Sequence, residues 1–95
     1  KLPKYAVWAM MKNKEPDMFI KQFKGIFKKI ITMPIENEKN CMSANDLKSI
    51  GKKNQFNVDK AKNFNEAIKK IRSSEKKLIT CIGSLYNVGE ILNKN

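Results

Sequence analysis

Three short uncharged runs bound what this chain can fold into. Tyr5-Ala6-Val7-Trp8-Ala9-Met10, Ile30-Ile31-Thr32-Met33 and Leu78-Ile79-Thr80-Cys81-Ile82 lack the polar alternation of a half-exposed strand. They read as strands buried on both faces. Between them the apolar residues recur at helical spacing. Phe19, Ile20, Phe23 and Phe27 make one helical stripe, opened by Pro16 and Asp17 in a first turn and weakened at its end by Gly25. Ser43 with Asp46 starts a second helix, with Leu47 and Ile50 facing inward and Gly51-Lys52-Lys53-Asn54 ending it. Asn63 with Glu66 starts a third, with Phe64, Ala67, Ile68 and Ile71 inward and Ser73-Ser74 closing it. Phe56 and Val58 with polar neighbours predict a weak strand at a sheet edge, and Pro34 stops the strand that ends at Met33. Strand alternating with helix throughout implies a three-layer α/β domain, a four-stranded parallel sheet with helices on both faces.

The 95 residues are enough for one domain, residues 1–95, with a single modest core. No stretch approaches the roughly 18 apolar residues of a membrane span, and Lys1-Leu2-Pro3-Lys4 has no signal-peptide pattern. The sequence reading is therefore a soluble, cytoplasmic chain with no membrane partner. With no histidine and only Cys41 and Cys81, no zinc site of the usual kind can form, so no metal ligand is assigned and both cysteines read as reduced thiols. The net charge of +11 makes a small basic module that binds nucleic acid the alternative function. Against it, Arg72 is the only arginine and the lysines are spread over every segment of the sequence. Arginine supplies the bidentate contacts that dedicated binders favour, so a solvated positive surface is preferred over a nucleic-acid partner.

The last uncharged run breaks at Gly83-Ser84 and resumes as a helical pattern through Leu85, Val88, Ile91 and Leu92. A strand that turns through Gly-Ser into a helix aims backbone N–H groups and a hydroxyl at one point, a setting for a carboxylate or phosphate. The string Gly83-Ser84-Leu85-Tyr86-x-Val88-Gly89-Glu90 resembles the last strand and helix of folylpolyglutamate synthase and dihydrofolate synthase, members of the Mur ligase superfamily. Ala9-Met10-Met11-Lys12-Asn13-Lys14-Glu15, and Thr32-Met33-Pro34 followed by Ser43-Ala44-x-Asp46-Leu47, are similar to other parts of that domain in the same order.

The resemblance implies a Rossmann-like Mur ligase C-terminal domain lacking its first strands, with strand order 4-1-2-3 in this chain. It implies the C-terminal part of an ATP-dependent ligase that adds L-glutamate to dihydropteroate or folyl-glutamate through an acyl phosphate. Such a fragment is inactive alone. ATP and Mg belong to the parent enzyme, on the N-terminal ATPase domain of the same polypeptide, and no cofactor is expected in this fragment. Ser84, Tyr86, Lys39 and Asn40 are the implied glutamate-binding residues, and Lys14 and Asn13 the implied phosphate or interdomain contacts; no catalytic residue is assigned. Asn40, beside Lys39, stands where the family usually has an arginine. Asn13 stands in place of the family's aspartate. A missing neighbour beside the strand at Leu78 would leave an open edge, from which self-association or poor stability is expected.

Overall fold

Each uncharged run forms a strand in the computed structural model, which describes residues 2–72 and 76–83. The strands β1 (Lys4–Ala9), β2 (Lys29–Thr32), β3 (Val58–Lys60) and β4 (Leu78–Gly83) form one parallel sheet, in the order β3-β2-β1-β4. The helices are α1 (Pro16–Lys21), α2 (Ala44–Lys53) and α3 (Phe64–Ile71). The last strand lies beside the first and the weak third strand is outermost, so the sheet order read from the resemblance is the one observed.

The layering follows from handedness. The chain steps outward from β1 to β2 to β3, and right-handed crossovers carry α1 and α2 over one face of the sheet. It then returns past β2 and β1 to reach β4, so the same handedness puts α3 on the other face. On the α1 and α2 side, Ala6, Trp8, Met10 and Ile30 pack with Ile20 and Leu47. On the α3 side, Tyr5, Val7, Ala9, Ile31 and Ile79 pack with Ala67 and Ile71. Central β1 is thus buried on both faces, as its lack of alternation requires.

Two boundaries differ from the sequence reading. The stripe through Phe19, Ile20, Phe23 and Phe27 is continuous in space, but α1 ends at Lys21 and consecutive turns carry the remainder. Trp8 stacks on Phe19 with ring centroids 6.4 Å apart; Phe19 to Phe23 is 5.2 Å and Phe23 to Phe27 is 5.6 Å. The aromatic ladder, not helix length, fixes this segment on the sheet. Helix α2 ends within Gly51-Lys52-Lys53-Asn54 as read, although Gly51 has a further role. It is buried inside the helix, where a β-carbon would come within 2.6 Å of Val58 Cγ2. Glycine there lets α2 lie close against β3.

The closure at Asn54 moves the second boundary, the start of the third strand. The Gln55 N–H donates to the Lys52 carbonyl (2.9 Å) and the Phe56 N–H to the Gly51 carbonyl (3.0 Å), with Gln55 left-handed at φ 67°. That pair of bonds is a Schellman closure. Phe56 therefore belongs to the helix end, packing beside Ile50, and β3 begins only at Val58. The expected helix starts hold: the Asp46 N–H donates to Ser43 Oγ (3.0 Å) and the Glu66 N–H to Asn63 Oδ1 (2.9 Å). Glu66 reaches back to the Lys62 N–H, completing a reciprocal cap.

The two edges of the sheet are unlike. On β3, Asp59 pairs with Lys48 of α2 at 4.0 Å and Lys70 of α3 at 3.5 Å, clamping a helix from each face, and Lys70 Nζ also donates to the Lys60 carbonyl. Charge of this kind blunts an edge. Uncharged β4 is the opposite edge among the described residues. Residues 73–75 and 84–95 lie outside them, and with these the closing Ser73-Ser74 and the final helical pattern.

Candidate functional site

In an open parallel sheet, ligands sit outside the carboxyl ends of the strands where the strand order reverses. Here that point lies between β1 and β4. Their register is Ala9 opposite Gly83, so both strands finish level at the same rim. Gly83 has φ +96°, and a β-carbon on it would strike the Ala9 carbonyl oxygen. Only glycine fits this close approach at positive φ. The break read at Gly83-Ser84 therefore has a backbone cause at the glycine.

The loop leaving β1 is tied to the loop leaving β2. The Met42 N–H donates to the Met10 carbonyl and the Lys12 N–H to the Asn40 carbonyl, both at 2.8 Å, which makes a single antiparallel bridge between Met11 and Cys41. A 3-10 turn follows at Lys12–Lys14, closed by Glu15 at φ 51°. Pro16 then opens α1, as its position implies. This clip brings four of the sequence-assigned residues, Asn13, Lys14, Lys39 and Asn40, onto one rim. All four side chains are exposed. Ser84 and Tyr86, the other two, lie outside the described residues.

A shallow groove of about 710 Å³ runs along the rim beyond the clip, lined by Ile35, Lys39, Cys41, Lys62 and Phe64 among others. Lys39 thus has a second cation, Lys62, across the groove. Glu36 and Glu38 on the same lining offset them. Asn63 engages the Glu66 N–H of α3 and Glu66 engages the Lys62 N–H, which ties the Lys62 end of the groove to the start of that helix. Lys62 was missed because its link to Lys39 spans two loops with no shared motif.

Trp8 was missed as well. It is fully buried, and its indole N–H has no hydrogen-bond partner among the described residues. Cδ1 of the ring lies 3.1 Å from where a Gly83 β-carbon would be, so the pyrrole edge faces the turn that ends β4. In sequence, Trp8 is one apolar residue in a buried run. Nothing in its spacing marks it as a donor near the rim.

Cys81 is half-buried on β4 and its burial pushes the thiol's pKa up, away from a reactive thiolate. Cys41 Sγ accepts from the Ile35 N–H at 3.3 Å and helps hold the β2 loop. Both cysteines are free. Among the described residues no group of three or more His, Cys, Asp or Glu could hold a metal ion, and no helix is long and apolar enough to cross a membrane. Comparison with known proteins finds no matching family model, no matching curated protein and no matching solved structure.

Proposed function

We propose that this chain is the C-terminal portion of an ATP-dependent amide ligase that adds L-glutamate to dihydropteroate or folyl-glutamate. The observation that carries the reading is the pairing of β4 with β1, level at Ala9 and Gly83, in the order that the sequence resemblance implies. Support also comes from the clip between the β1 and β2 loops, which draws Lys14 and Asn13 beside Lys39 and Asn40. In this reading the rim grips the α-amino acid and presents its amine to an acyl phosphate formed on the partner domain. Ser84 and the amides that follow it would take a carboxylate, with Lys39 supplying charge where Asn40 replaces arginine and Tyr86 adding a hydroxyl or a wall. Lys14 would meet phosphate or the ATPase domain. ATP and Mg would supply the activation from the N-terminal domain. The contribution of this chain is positioning and exclusion of water.

The test is an amide NMR titration of the chain with L-glutamate. The expected result is saturable movement of the resonances of residues 10–15 and 38–42, with affinity of about millimolar, near 4 kcal/mol. Glutarate, which lacks the amine, should bind less well, and Ser84→Ala should weaken the L-glutamate response. If saturating L-glutamate leaves every rim amide unmoved, the reading is wrong. The alternative, a basic module that binds nucleic acid, draws on a separate observation at the other end of the sheet.

A further inference from the structure

Lysines lie at both ends of the sheet, but only at the rim are they matched by carboxylates. In a sheet whose strands are all parallel, every strand begins, and every crossover helix ends, at one pole of the domain. This chain places lysines at those points. Lys4 opens β1, Lys28 and Lys29 open β2, and Lys76 and Lys77 precede β4. Lys52 and Lys53 end α2, and Lys69 with Arg72 ends α3. Lysine at a helix end is accounted for by the helix dipole, but lysine before a strand is not.

The carboxylates sit at the opposite end. Glu15 precedes α1, Glu36 and Glu38 lie in the β2 loop, and Asp46 and Glu66 occupy first turns of helices. Asp59 sits mid-strand on β3 between Lys48 and Lys70, and among the other described carboxylates the exception is Asp17. It reaches the end of α2, where it pairs with Lys53 at 3.5 Å and accepts from Asn54 at 2.9 Å. Among the described residues the charge is thus polar along the strands, with the excess of lysine over carboxylate on the pole away from the rim.

Two clefts open on the basic pole, and each has a half-buried phenyl ring beside lysines. One, of about 490 Å³, is lined by Phe27 with Lys4 and Lys28. The other, of about 310 Å³, is lined by Phe56 with Lys21, Lys24 and Lys53. In the second, the Lys24 ammonium donates to the Asn54 carbonyl (2.6 Å) and lies 5.3 Å from the Phe56 ring centre.

We propose that this pole binds single-stranded nucleic acid, with lysines on the phosphates and the Phe27 and Phe56 clefts receiving bases. Lysine serves as a point charge on a backbone without needing the base-reading fork of arginine. Half-buried rings beside lysines favour an unpaired strand over a duplex. A duplex keeps its base faces stacked inside; Leu2 and Ile26, exposed on the lining of the Phe27 cleft, give apolar surface that a bilayer would also meet, and the vesicle arm of the test separates the two. Aromatic platforms in a positive groove are the general means of holding single strands. The site is at the opposite end of the sheet from the glutamate rim and does not depend on it.

The experiment is fluorescence anisotropy with a labelled oligothymidylate of about 15 nucleotides, within the span of one small binding domain. For about five phosphate contacts, affinity should fall about 100-fold between 50 and 200 mM salt. The triple variant Lys4→Gln, Lys28→Gln, Lys52→Gln should weaken binding at least tenfold and flatten the salt slope by about two. A matched triple at the rim, Lys12→Gln, Lys60→Gln, Lys62→Gln, removes the same net charge and should change affinity less than threefold. All six lysines are exposed, and unchanged Trp8 emission verifies folding. An abasic strand of equal length should bind about 10- to 100-fold more weakly, reflecting the loss of stacking. Equal loss from both triples, equal affinity for the abasic strand, or tighter binding to duplex or phosphatidylserine vesicles would each overturn the proposal.

Discussion

Replacing Gly51 by alanine sets two effects of known size against each other. Gly51 lies within α2 at ordinary helical backbone angles, so alanine should add about 1 kcal/mol through helix propensity. The new β-carbon, however, would lie 2.6 Å from Val58 Cγ2, about 1 Å inside normal carbon contact. Relieving that overlap means separating α2 from β3 or twisting Val58 off its rotamer, at a cost of about 1–3 kcal/mol. Both neighbours are constrained: β3 is paired to β2, and Asp59 holds β3 to both flanking helices. The net expectation is a loss of about 0–2 kcal/mol, with Tm falling about 4–8 °C for each kcal/mol lost. Urea unfolding followed by Trp8 emission measures it, since Trp8 is the only tryptophan and is 0% exposed. The decisive control is a Val58→Ala background. There Cγ2 is gone and the next contact, Val58 Cβ at 3.6 Å, is ordinary. Gly51→Ala should then turn neutral or stabilising, a coupling of about 1 kcal/mol or more. If Gly51→Ala stabilises the wild type, or costs the same in both backgrounds, the close-packing account of α2 on β3 is wrong.

Other expectations concern the closures and the carboxylates. Gln55→Gly should stabilise by about 0.5–1 kcal/mol, read as a higher urea midpoint, because Gln55 is left-handed at φ 67° in the closure of α2; a lower midpoint would count against that closure. Gly83→Ala should destabilise by at least about 2 kcal/mol, since it combines positive φ with a collision at the Ala9 carbonyl; calorimetry showing an unchanged Tm would contradict the described rim. Asp17 is held below the usual carboxylate range by the Asn54 amide and the Lys21 ammonium, and Asp59 by the Lys60 N–H and nearby lysines. Their folded pKa values are depressed, so this stability is present above the ordinary value of 3.8 and is lost as pH falls through the folded values. Urea midpoints should therefore be flat from about pH 5.5 to 8, where the chain has no histidine to titrate, and fall below about pH 4. Asp17→Asn and Asp59→Asn together should flatten the acid limb, and an unchanged limb would refute the assignment.

The elements and their faces were legible because their causes are local. Uncharged runs give the buried strands, three-and-four spacing gives the helical stripes, and Ser43 and Asn63 cap the helices that follow them. Those signals act within a turn or two of chain. Where a residue's role depends on something distant, local reading failed. Gly51 lies in the string that ends α2, but its packing role appears only when Val58 is placed against it, and Phe56 resembles a strand residue until the closure of α2 claims it. The aromatic stripe predicted a longer α1, because ring contacts across turns satisfy the same spacing. At the site, Asn13, Lys14, Lys39 and Asn40 were chosen from the resemblance, whereas the bonds that join their loops are backbone bonds and leave no mark on residue type.

The amino-acid sequence alone decided that this chain builds strands buried on both faces alternating with one-sided helices, since burial pattern and capping are written in neighbouring residues. Only the tertiary structure decided how close α2 approaches β3, which way Trp8 turns its indole edge, and that the lysines matched by carboxylates share the rim while the unmatched ones share the opposite pole. Handed crossovers and parallel pairing act through space over the whole domain, and they assign each strand start and helix end to a side that no local pattern records.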